Sequence, residues 1–74
     1  MKIIGEIIFE YNNENDSKLI FDSLEIDNEN FLKSEKNKNT LIYQIKSDKL
    51  GSFLATTDDL IASEIVVEKI IQLK

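Results

Sequence analysis

The residues of this chain that could most readily do chemistry are carboxylates, which occur as two pairs. Asp58 and Asp59 are adjacent, and Asp27 and Glu29 are two positions apart. Paired carboxylates can perform acid–base catalysis or bind magnesium. That chemistry needs a pocket around them, which a domain of this size rarely has. We therefore expect Asp58 and Asp59 to lie on the solvent side of a helix, with a small enzyme that uses them as the alternative.

Other residue types that commonly carry catalysis or bind metals are missing. The sequence has no histidine and no cysteine, which excludes the commonest general base, a thiol nucleophile and most transition-metal sites. Its two glycines, Gly5 and Gly51, are isolated and cannot form a glycine-rich phosphate loop. The sequence therefore predicts no catalytic residue, no cofactor and no metal.

Length and charge limit the remaining functions. A chain of 74 residues is one domain, and domains this small are often reinforced by disulfides, metals or oligomerisation. The net charge is -5 and there is no arginine, whereas independent nucleic-acid binding relies on clustered Lys and Arg. Lys33, Lys36 and Lys38 form a small cluster that we expect at a solvated hairpin tip. A stand-alone RNA-binding domain is thus a weaker alternative than an oligomeric protein.

The N-terminal stretch is a strand rather than a targeting signal. Its apolar run is too short for a signal peptide and is interrupted by glutamates, and no stretch approaches the roughly 18 apolar residues of a membrane span. We expect a soluble, cytoplasmic protein. Residues 2–11 alternate with period two, which predicts a strand whose first face packs on helices. The second face carries Ile4 and Ile8, so it too could be covered.

Four further elements follow along the chain. Polar residues 12–17 predict a helix start, and the helix should run to about Leu24 or Glu25. A weak strand at 31–35, a turn at 36–39 whose asparagines tolerate left-handed backbone, and a clearer strand at 40–46 come next. Residues 47–74 then predict one long helix capped by Ser47 or Asp48.

The order predicts an α+β fold. It consists of a three-stranded antiparallel sheet with two helices on one face, in the order β-α-β-β-α, as a single domain over residues 1–74. The last helix has too many apolar residues for one narrow stripe, since Ile65, Val66, Val67, Ile70, Ile71 and Leu73 follow one another closely. This end of the helix is therefore buried all round or faces another chain.

Three segments in series resemble a known family. They are the strand IIGEIIFEY, the helix and exit NDSKLIFDSLEIDNE, and SDKLGSFLATTDDL after the last strand. In order and spacing, nearly the whole chain resembles the small dimerising subunit of the KEOPS complex, also called the polarised-growth and chromatin-associated controller family.

The resemblance implies a non-catalytic scaffold subunit. Family members dimerise, and their helices bind the threonylcarbamoyl-transferase subunit of a complex that installs N6-threonylcarbamoyladenosine in tRNA. The short chain resembles archaeal members. Leu54–Ala55 stands where the family usually has Arg-Ala, Asp58 where asparagine is common, and Ile26 where proline precedes Asp27–Asn28. These departures also fit the divergent paralogue that forms a heterodimer with the main subunit and caps the complex, so homodimer and heterodimer both stay open.

The predicted contact residues are the apolar positions that a lone domain would expose. For each of them, ordinary packing within the chain is the competing interpretation. The predicted partner or dimer interface comprises Ile4, Ile8, Leu19, Phe21, Ile42, Leu54, Ile61, Ile65 and Ile70.

Overall fold

The computed structural model describes residues 1–24 and 29–73. The elements are β1 (Ile3–Glu10), α1 (Glu14–Ser23), β2 (Phe31–Asn37), β3 (Thr40–Ser47) and α2 (Leu50–Gln72). The strands form one antiparallel sheet in the order β1-β3-β2. The predicted fold class is confirmed, including the element order and the long C-terminal helix. The departure at Ile26 and the pair Asp27–Asn28 lie outside the described residues.

Strand β3 occupies the centre of the sheet, and its alternation separates a buried face from an open one. Leu41, Tyr43 and Ile45 have no accessible surface, because they point toward the two helices. Neighbouring strand positions point to the opposite, outer face. None of the helices within residues 1–24 and 29–73 combines the length and hydropathy that a bilayer span requires.

Tyr43 is the centre of the core. The rings of Phe9 and Phe31 meet its ring edge-on, with centroids 6.1 and 6.3 Å away, and Phe21 lies at 6.3 Å with a smaller tilt. Edge-to-face pairs of this kind stabilise a core beyond the area they bury. Strands β1 and β2 and helix α1 are therefore all held to the same side chain.

Helix α1 begins where the sequence predicted, at a polar cap. The Asn13 side chain accepts a hydrogen bond from the Asp16 backbone N–H at 2.8 Å, which satisfies one of the free donors of the first turn. Ser17 is fully buried, and its hydroxyl donates to the Lys38 carbonyl at 2.7 Å. This bond joins α1 to the turn between β2 and β3.

Two predictions about the turn between β2 and β3 were wrong. The residue with left-handed backbone is Lys38, with φ 55°, and neither asparagine adopts it. The three clustered lysines do not share a hairpin tip, because Lys33 and Lys36 pair with Gln44 and Leu41 inside the ladder. The strand pattern continues closer to the turn than the polar composition of residues 36–39 suggested.

Helix α2 begins later than predicted and lacks a side-chain cap. Its first residue is Leu50 and its N-cap is Lys49, whereas we expected Ser47 or Asp48. The Ser47 hydroxyl accepts from the Lys49 N–H at 3.2 Å, outside the helix. The first turn then sets Phe53 directly over Gly5 of β1, and a Cβ atom at Gly5 would overlap the Phe53 ring. Gly5 thus permits α2 to approach the strand closely.

Candidate interaction surfaces

The backbone edge of β1 is free along its length in the described part of the chain. The Tyr11 N–H donates to the Asn39 carbonyl at 2.9 Å, in continuation of the β1–β3 register. The odd-numbered residues of β1 are therefore the ones whose backbone groups bond to β3. By the antiparallel alternation, the intervening residues point their N–H and C=O groups away from β3. These are Ile4, Glu6, Ile8 and Glu10. They present the unpaired groups with which a strand of another chain could hydrogen-bond.

The same residues carry the outer face of the sheet. Ile4 and Ile8 are 51% and 53% exposed, and Ile8 pairs with the half-buried Ile42 of β3. Glu6 lies between the two isoleucines and pairs with Gln44. The predicted residues of the sheet are therefore open on this side, and they adjoin the free backbone edge.

On the other side of the sheet, one flank of α2 is apolar and exposed. At about 100° per residue, Leu54, Ile61 and Ile65 share one side of the helix, and each is between 39% and 51% exposed. Phe53 in the first turn lies over Gly5 of β1, and this flank is the one turned away from α1. We call the free edge of Ile3–Glu10 together with these three α2 residues the β1 margin.

The opposite flank of α2 borders a groove toward α1. Its volume is about 690 Å³, and its lining is mainly apolar or small. The lining residues are Ser23, Leu24, Asn30, Phe31, Thr56, Asp59, Leu60, Ala62, Ser63, Val66 and Val67. None of the nine predicted interface residues lines this groove. The small residues Ala62 and Ser63 followed by Val66 are the sequence signal that could have located it.

The remaining predicted residues lie apart from the β1 margin. Leu19 is exposed on α1, and Ile70 is exposed near the end of α2, about 140° around the helix from Ile65. Phe21 packs against the core beside Tyr43. The structure thus sets Leu54, Ile61 and Ile65 on one flank of α2, and Ile4, Ile8 and Ile42 on the opposite, outer face of the sheet. Leu19, Phe21 and Ile70 belong to neither surface.

A polar centre that the sequence reasoning missed lies beneath α2. Glu64 is only 4% exposed, and the Tyr11 hydroxyl donates to its carboxylate at 3.0 Å. Burial, more than the nearby Glu68 carboxyl, raises the pKa of Glu64. Burial also raises the pKa of Tyr43 to about 12, and its hydroxyl has no partner among the described residues. Glu64 occupies a core position in the apolar repeat of α2, which is the signal that could have found it.

One of the two carboxylate pairs is on the surface, whereas Asp27 of the other pair lies outside the described residues. Asp58 and Asp59 are both exposed on α2, as expected for a solvent-facing pair. Within residues 1–24 and 29–73, no group of acidic residues is arranged to hold a metal ion.

The fold is similar to that of solved protein chains. No family model matches the chain, and no curated protein matches it. A chain in the crystal structure of the binary complex Gon7-Pcc1 has the same fold, with a TM-score of 0.83. The match covers 96% of this chain and 94% of that chain, at 13% sequence identity. At this identity the likeness shows a shared fold.

Proposed function

We propose that this protein is an accessory subunit of the KEOPS complex, with a structural rather than a catalytic role. The observation that carries the proposal is the full-length match to a chain of the Gon7-Pcc1 complex. The exposed apolar surface supports it, because a monomer this small gains little by leaving several isoleucines in water. The chain would act in the cytoplasm, where the complex modifies tRNA to contain N6-threonylcarbamoyladenosine.

The two surfaces have separate roles in this proposal. The β1 margin pairs with a second small subunit, since it offers both backbone hydrogen bonds and apolar side chains. The groove beside Val66 receives a helix of the threonylcarbamoyl-transferase subunit, because helices commonly dock their apolar face into such grooves. The chain contacts tRNA only through the complex, in keeping with its acidic balance.

Co-expression with the other subunits of a KEOPS complex tests the proposal. The wild-type chain should co-purify with the transferase and restore N6-threonylcarbamoyladenosine in tRNA of a strain that lacks the small subunit. Failure of the folded chain to join any such complex, together with unchanged tRNA modification, would contradict it.

Single substitutions separate the two surfaces. Ile61→Lys should weaken pairing between small subunits by about tenfold or more, because it places a charge in an apolar contact. Val66→Lys should instead weaken the transferase contact. Leu32→Lys, at an exposed position of β2, is the matched control and should change neither. Light scattering after size exclusion measures the pairing, and circular dichroism verifies that each variant folds.

A further inference from the structure

Glu6 is placed where it would oppose pairing of β1 with a second copy of itself. It lies in the middle of the strand, on the outer face, between Ile4 and Ile8. Among the described residues it makes no hydrogen bond and no close ion pair, although its charge, after that of Glu35, helps to raise the pKa of Lys33. Lys33, in the same row across the sheet, is bonded to Glu35 instead, at 2.9 Å.

Symmetric pairing of two β1 edges allows few registers. A two-fold arrangement that extends the sheet makes the strands antiparallel, and the free backbone groups of both copies belong to Ile4, Glu6, Ile8 and Glu10. These four must therefore face one another across the new ladder. Registers that keep most of the strand paired place either Glu6 or Ile7 opposite its own copy.

Both registers contain a mismatch. With Glu6 opposite its copy, Ile4 faces Ile8 favourably, but two carboxylates meet at the centre. With Ile7 opposite its copy, each Glu6 faces an Ile8 and each Ile4 faces a Glu10. Like charges directly opposite are destabilising in a ladder, and a glutamate opposite isoleucine loses the apolar pair. A second copy also brings the same net charge of -5, which adds repulsion at low salt.

We infer that β1 selects a partner of different sequence, whose edge strand sets a lysine or arginine opposite Glu6 and apolar residues opposite Ile4 and Ile8. This rests on the proposed function in that β1 is taken to pair with another chain. Such a strand satisfies the free backbone groups, matches the central carboxylate with a positive charge and keeps the isoleucine contacts. Glu6 is then the residue that discriminates a heterodimer from a homodimer.

Mixing two versions of the full chain tests this without knowledge of the natural partner. Wild-type chain labelled with ¹⁵N is mixed with unlabelled Glu6→Lys, and native mass spectrometry counts the three dimers. Glu6 of one chain then faces lysine of the other, so the ratio of mixed dimers to the two self-paired dimers should exceed its statistical value by about fivefold. The excess should fall as salt rises, since exposed charges are screened. Glu14→Lys, with the same charge change at an exposed position of α1, is the control and should give the statistical ratio.

A second variant removes the charge without reversing it. Glu6→Gln should tighten self-association by up to about fivefold, whereas Glu14→Gln on α1 should leave it unchanged; circular dichroism verifies folding. The inference is overturned by a statistical ratio with Glu6→Lys, by self-association that weakens in Glu6→Gln, or by the absence of mixed dimers between wild type and Glu6→Lys at high concentration. These outcomes concern the partner of β1 alone, so co-purification with the KEOPS transferase remains a separate result.

Discussion

Strands β1 and β2 form the two edges of one sheet, pair with the same central strand, and differ in how their free edges are built. β2 has a register shift between Phe31 and Lys33, and it carries lysines and the Lys33–Glu35 ion pair. β1 pairs with β3 in one uninterrupted register, and no lysine lies within Ile3–Glu10. Irregularity and lysines are devices that keep an edge from pairing with other chains.

The edges also differ in what covers their inner side. β1 carries Ile7 and Phe9 toward the helices, and both are only half-buried although they pack against the core. At the corresponding positions β2 carries Ser34 and Lys36, which pair with Tyr43 and Leu41. The sequence of β2 therefore already discourages pairing with another chain at its free edge. β1 has the composition of an internal strand that lacks its second neighbour.

The largest expected effect tests whether β1 belongs to the core despite its open edge. Phe9→Ala should lower the free energy of unfolding by about 3 kcal/mol, because it removes the edge-on contact with Tyr43 and leaves a cavity. Phe31→Ala removes the matching contact from β2 and should cost a similar amount. Ile8→Ala, on the outer face of β1, should cost less than about 1 kcal/mol. Urea denaturation measures the free energy of unfolding of all three variants. Equal decreases for Phe9→Ala and Ile8→Ala would mean that the inner face of β1 stabilises the fold no more than its outer face does.

A smaller effect tests the polar bond between β1's end and α2. The pKa of Glu64 is raised in the folded protein by burial, so the folded state binds this proton more tightly than the unfolded state. The stabilising contribution is full below the unfolded pKa and is lost as pH rises through the folded pKa. Above that pH the folded protein carries a buried charge at Glu64.

Glu64→Gln removes that charge and keeps an oxygen to accept from Tyr11. It should raise the free energy of unfolding at neutral pH by on the order of 1 kcal/mol and flatten the stability between mildly acidic and neutral pH. Asp59→Asn, an exposed carboxylate of the same helix, is the control. Thermal melts across this pH range measure the effect. A Glu64→Gln variant less stable than wild type at neutral pH would show that the hydrogen bond from the Tyr11 hydroxyl requires the Glu64 carboxylate.

The smallest effect concerns the turn that fixes β2 against β3. Lys38 has φ 55°, a conformation that costs a residue with a Cβ atom about 1 kcal/mol or more. Lys38→Gly removes this strain but loosens the unfolded chain, so we expect a net gain of about 0.5 kcal/mol. Lys36→Gly, in the strand, should destabilise instead. Matched urea curves provide the test, and a loss of stability at position 38 would contradict the strain.

Much of the fold could be read from local patterns. The alternation of residues 2–11 and 40–46 predicted β1 and β3, and Asn13 with Asp16 marked the start of α1. The cap of α2 was misplaced because Ser47 and Asp48 match a capping residue by type, whereas the strand continues to Ser47. The left-handed residue was misassigned because asparagine tolerates that backbone better than lysine, but the position within the turn decides which residue adopts it.

The candidate site was foreseen less completely, for a physical reason. Apolar periodicity marked Leu54, Ile61 and Ile65 as surplus, but it equally marked Ile70 and Phe21, which lie elsewhere. Whether an apolar helix residue is covered depends on the elements beside it. The groove next to Val66 and the buried Glu64 depend on how α1, α2 and β1 pack, which no local pattern contains.

Side-chain types and their spacing set which elements form, their order along the chain, its acidic balance and its lack of histidine and cysteine, because these follow from local preferences and composition. Pairing of the strands around β3 decided that β1 lies at an edge of the sheet, and packing of the helices on one face left Ile4, Glu6 and Ile8 exposed on the other. It also decided that Glu64 is buried against Tyr11. These outcomes depend on contacts between residues distant in the chain, so only the assembled tertiary structure could determine them.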